Sequence, residues 1–231
     1  MKYRVLPLLV LLLALCPLGT LVAGNAQISN NQGQMYRLHL TSLKEARFKN
    51  TIRQKYDFSC GSAAVATLLT YQYGYPVDEQ SAFAQMYAHG DRAKINREGF
   101  SLLDIKMYLE AHGFDADGFQ VPLDKLQQEH LPAIVLIDQK GYHHFVVIKG
   151  MRDGRVLVGD PALGTRAIPR DHFNDVWKNG LVFVIHNHRD LARFNSVADW
   201  LAAPGAPLPT GIDRRGLDTI TVPKLGPGDI P

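Results

Sequence analysis

The chain has 231 residues, 46% of them hydrophobic, with 25 Lys and Arg against 22 Asp and Glu. That length carries one ordinary core plus tails and does not demand a second folded domain. A formal charge of +3, falling further once Lys2 and Arg4 leave with a targeting segment, argues against nucleic acid or an anionic membrane surface as the partner.

Met1-Lys2-Tyr3-Arg4 followed by the Leu- and Val-rich run from Val5 to Leu15 has the basic start and apolar middle of a secretory signal peptide. Residues 1–26 are assigned to it, with cleavage after Ala23 or Ala26. The run is short for a membrane span, which needs about 20 apolar residues, so no span is expected after cleavage; extended through Leu18 to Ala23 it would instead be a retained anchor. Leu15 before Cys16 and Pro17 after it fit a lipidation site badly. Residues 27–43 read as a lead-in: Asn/Gln/Ser-rich and unpacked from Gln27 to Gln34, then an edge strand from Tyr36 to Leu43. Lys44, Arg47, Lys49, Arg53 and Lys55 make a basic run that reads as a solvated face.

The folded domain is placed at residues 44–203. Gly61 to Tyr73 is Ala/Val/Leu-rich without proline, and Gly74 and Pro76 supply the stop of a helix that Cys60 opens. A second helix is expected over Val77 to His89 and a charged loop over Asp91 to Gly99. Ser101 then caps a third helix, Leu102 to His112, closed by Gly113. The second half changes character, with short β-branched runs at 133–137, 145–148, 156–158 and 181–185. Helices first and strands afterwards predict an α+β fold, an N-terminal helical lobe packed on a C-terminal antiparallel sheet. Residues 204–231, with six prolines and five glycines, read as a tail outside the core.

The chemistry centres on Cys60. At a helix N-terminus, free N–H groups and the macrodipole favour an anion, here a thiolate. Removing Cys16 with the signal peptide leaves Cys60 as an odd thiol in an oxidising compartment, the mark of a reactive cysteine. A cysteine nucleophile needs a base and a group to orient it. Of nine histidines, His144 opens the strand His144-Phe-Val-Val-Ile148, with His143 pointing to the opposite face. Asp160, before Pro161, is the candidate orienter, a position that equally suits a turn aspartate. Gln54 is a candidate oxyanion donor alongside the Cys60 backbone N–H. His186-x-His188 lacks a third spaced ligand, so no metal or other cofactor is expected.

Gln54-x5-Cys60-Gly61, His144-Phe-Val-Val147 and Asp160-Pro-Ala162, in that order, resemble the C39 family of papain-like cysteine peptidases, which includes the double-glycine leader peptidases of bacteriocin exporters. The resemblance runs from about Arg53 to Val184. It implies Cys60 as nucleophile, His144 as general base and acid, Asp160 as orienter and Gln54 in the oxyanion hole. The exporter peptidases are cytoplasmic and fused to transport domains. This chain is instead similar to a stand-alone, exported form that accompanies functional-amyloid secretion in pseudomonads. That likeness implies a periplasmic location and a protein or peptide substrate such as an exported amyloid subunit. Arg97 to Ser101 is a candidate border of the groove. Two other readings stay open: a papain-like module that holds its cargo without cutting, and an acyl transferase or amidase.

Overall fold

A computed structural model describes residues 25–29, 35–39, 41–139 and 141–203. The body of the expected signal peptide, residues 1–24, and the expected tail, 204–231, lie outside the described residues. The chain divides into two compact units, 1–42 and 43–231. In the first, β1 (Asn25–Ser29) and β2 (Met35–His39) form an antiparallel hairpin, Asn25 opposite His39 and Ser29 opposite Met35. Gln27, Ile28 and Ser29 of the expected lead-in lie in strand β1, where pairing with β2 satisfies their backbone groups. The strand expected to reach Leu43 is Met35–His39.

The second unit runs α1 (Leu43–Phe48), α2 (Cys60–Thr67) with a π-helical continuation (Leu68–Gln72), α3 (Glu79–His89), α4 (Arg92–Glu98) and α5 (Leu102–Ala111). It continues through β3 (Ala116–Gln120), α6 (Leu123–Glu129), β4 (Ala133–Gln139), β5 (Tyr142–Arg152), β6 (Arg155–Asp160) and β7 (Gly164–Pro169). The last elements among the described residues are α7 (Arg170–Val176), β8 (Leu181–Ile185) and α8 (Val197–Leu201). Six strands form one antiparallel sheet in the order β3-β8-β4-β5-β6-β7. No helix among the described residues is long and apolar enough to cross a membrane.

Every residue of α2 is buried, and its Gly61, Ser62, Ala63, Ala64 and Ala66 are small enough for neighbours to close in on all sides. Around it pack Met86 of α3, Ile105 and Leu109 of α5, and Ile134, Phe145, Val147 and Phe183 of the sheet. The alternate residues Ala133, Val135 and Ile137 of β4 meet Leu123 and Leu126 of α6 and Phe173 of α7 in a second core. Burial on both faces explains why β4 reads as a continuous apolar run. The expected single helical layer is thus one of two.

Asp91–Gly99, expected to be a loop, holds α4. Asp91 caps it by accepting from the Lys94 N–H at 3.1 Å, and Gly99 ends it at φ 79°. Ile95 is its only buried residue, so no apolar period announced it. Ser101 and Asp104 form a reciprocal capping box on α5. On β5, Lys149 is wholly buried. It pairs with Asp199 of α8 and donates to the Asn50 carbonyl at 2.6 Å, which fixes α8 to the sheet.

Gly61 matters to the site. A Cβ there would stand 2.8 Å from Phe100 Cβ, an approach that no rotamer change of Phe100 relieves. Gly61→Ala is therefore expected to cost about 1–3 kcal/mol, measured as a lowered midpoint of thermal unfolding.

Candidate active site

The loop before α2 sets up Cys60. Ser59, at the N-cap, makes no side-chain bond to the helix. Its hydroxyl instead accepts from the Tyr56 N–H at 3.1 Å and donates to the Tyr56 carbonyl at 3.0 Å. The first turn of α2 therefore lacks a side-chain cap and keeps N–H donors beside the sulfur. The Gln54 backbone N–H donates to the Pro161 carbonyl at 3.1 Å, tying this loop to the turn that follows β6.

His144 is 2% exposed and Asp160 fully buried, with Nε2 and Oδ1 2.8 Å apart. His143, beside it, is exposed. The other ring nitrogen, Nδ1, is buried and has no hydrogen-bond partner, and Cys60, 7% exposed, is a second neighbour that acts on the ring. Burial lowers the ring pKa, but the bond to Asp160 and the nearby Cys60 sulfur outweigh it and carry His144 from 6.5 up to about 9. With a pKa raised to about 9, the ring holds its proton across the neutral range, with a carboxylate at Nε2.

Asp160 accepts from every side. Oδ1 takes the Ala162 and Leu163 N–H groups at 2.9 and 3.1 Å, and Oδ2 takes Arg166 Nε and Nη2 at 3.1 and 2.9 Å. Burial raises its pKa, but the His144 bond and charge, then Arg166 and the Ala162 N–H, hold it below the ordinary 3.8. Asp160 thus accepts both from the turn that follows it and from the His144 ring.

Gln54 lies in the loop before α2. Its Nε2 donates to the Tyr56 and Asp57 carbonyls at 3.0 and 3.3 Å, while Oε1 is buried without a partner. The amide lies in the loop beside Cys60 but is turned onto that loop. Arg97 pairs with Glu98 at 2.6 Å on the surface, and Phe100 packs against Gly61 of α2. The basic run is exposed. His186 and His188 each take a protein partner, Asp117 at 3.0 Å and the Gly113 carbonyl at 3.1 Å. Two residues escaped the sequence reading. Arg166 sits on the unrecognised strand β7, and Tyr142 lies two positions before His144 on one face of β5, a spacing that was there to be read.

The raised His144 pKa has a consequence with a definite sign. Its stabilisation is complete below about 6.5 and lost as pH rises through about 9. A ring-proton NMR titration is expected to place the His144 midpoint near 9, and peptidase turnover that needs the imidazolium falls over the same range. A midpoint near 6.5 would contradict the pairing.

A buried imidazole–carboxylate pair, with a neighbouring cysteine that opens a buried helix, is the equipment of a cysteine hydrolase. The chain belongs to the Peptidase C39 family, whose sequence profile matches residues 49–189, and it is a peptidase of that family. It is 43% identical over 153 residues to the "Probable functional amyloid protease FapD" of Pseudomonas aeruginosa, covering 66% of this chain and 67% of the relative. The protein of the same name in Pseudomonas fluorescens is 42% identical, covering 62% of this chain and 63% of the relative. The chain thus spans about two thirds of the length of these relatives. Among solved structures, a double glycine motif protease from an AMS/PCAT transporter, in complex with the leader peptide, is 25% identical. That match has a TM-score of 0.48 and covers 59% of this chain and 91% of the other.

Proposed function

We propose that this chain is an exported cysteine endopeptidase that cleaves a protein of a functional-amyloid secretion pathway in the periplasm, by way of an acyl-enzyme on Cys60. The observation that carries the reading is the buried His144–Asp160 pair at 2.8 Å, with Nδ1 left for the thiol. The likeness to two relatives named as functional amyloid proteases supports the pathway.

Cys60 Sγ attacks the scissile carbonyl carbon, and the carbonyl oxygen becomes an oxyanion stabilised by N–H groups of the first turn of α2. Gln54 joins them by releasing the Tyr56 and Asp57 carbonyls. His144 passes its proton to the departing amine, leaving a thioester on Cys60. Water, deprotonated by His144, then hydrolyses the thioester. Asp160 holds the ring through both steps. Export rests on residues 1–26. A cut after Ala23 leaves β1 whole, whereas a cut after Ala26 removes Asn25 and Ala26 from it.

The test is to incubate the purified chain with a pseudomonad functional-amyloid subunit and sequence the products by mass spectrometry. One new N-terminus at a defined bond is expected. A stable complex with every candidate subunit intact would replace the peptidase of this pathway with the cargo-holding module.

A further inference from the structure

Beside the buried sulfur and ring stands one side chain that faces solvent. Cys60 is 7% and His144 2% exposed, whereas Tyr142 is 47% exposed. Its ring lies 5.6 Å from the His144 ring, inclined by 31°. Its hydroxyl donates to the Asp57 carbonyl at 3.1 Å. That bond joins the start of β5 to the loop before α2, the two segments that contribute His144 and Cys60. The same carbonyl accepts from the Gln54 amide at 3.3 Å, so phenol and amide meet at one oxygen. Burial, then the neighbouring Cys60 charge, push the phenol pKa above its ordinary 10, so it remains a donor wherever the enzyme works.

We propose that Tyr142 sets the size of what reaches Cys60, its ring and its hydroxyl link to Asp57 forming a gate that bulky groups must open. The gate deepens the proposed function, resting on Cys60 as the reactive thiol. Opening it frees the Asp57 carbonyl of its tyrosine donor. Substrate entry and rearrangement of the Gln54 amide thereby share one hydrogen-bonding centre.

The test compares alkylation by iodoacetamide and by the bulkier N-benzyliodoacetamide in the full chain, read at the peptide that carries Cys60 so that Cys16 does not contribute. Tyr142→Ala is expected to raise the bulky-probe rate about tenfold while the small-probe rate stays within about twofold. Tyr142→Phe keeps the ring and loses the link, and is expected to raise the bulky-probe rate about threefold, what one hydrogen bond is worth. An unchanged ratio of the two rates in Tyr142→Ala overturns the gate, and Tyr142→Phe indistinguishable from wild type overturns the part given to the hydroxyl. Failure of the underlying reading looks different: substrate proteins stay intact with wild-type enzyme, while the probe ratio still reports on the gate.

Discussion

Replacing Cys60 by alanine is expected to lower peptide-bond hydrolysis by about 10⁴-fold or more and to leave the fold in place. The residue is the first of an all-buried helix of small side chains, and alanine is the best helix former. What is lost is the sulfur, which has no substitute: no other cysteine lies among the described residues. Circular dichroism and thermal unfolding check the fold, and product formation checks the chemistry. Unaltered processing by the Cys60→Ala protein would mean that the reacting group lies elsewhere.

Asp160→Asn is expected to damage both stability and activity. Asp160 is completely buried and accepts on both oxygens, from His144, Ala162 and Leu163 on one and from Arg166 on the other. An amide must turn its N–H₂ toward one of these donor sets. Breaking a buried charged pair of this kind costs about 3 kcal/mol. Because the folded carboxyl is held below the ordinary 3.8, its stabilisation is present above that value and lost as pH falls through the folded pKa. Denaturation curves of wild type and variant should therefore differ most at neutral pH and converge in acid. The His144 ring loses its principal support, so turnover is expected to fall by about 10²-fold or more, with the alkaline limb moving below 9.

How much of this was legible in the sequence depended on which physical signal each element carries. α2, α3 and α5 announced themselves by apolar content and by stop residues, and β4, β5, β6 and β8 by β-branched runs. α4 was hidden because Ile95 alone is buried. β3 went unread, since Ala-Asp-Gly-Phe-Gln carries no β-branched residue and no continuous apolar run. β7 follows the Asp160 turn without an apolar run, and missing it meant missing Arg166. Cys60, His144 and Asp160 could be named from type and order, but the closeness of the His144 and Asp160 side chains depends on the pairing of β5 with β6, Val147 opposite Gly159. The ground-state orientation of Gln54 was beyond sequence, because it depends on which loop carbonyls lie within reach of its amide.

The most direct test of the mechanism is intact-mass analysis of the enzyme caught during turnover by acid quench. A mass increase equal to the N-terminal product fragment, located on Cys60 and removed by hydroxylamine, is the predicted result. Turnover without any such adduct, and with the thiol free at every time point, would contradict it.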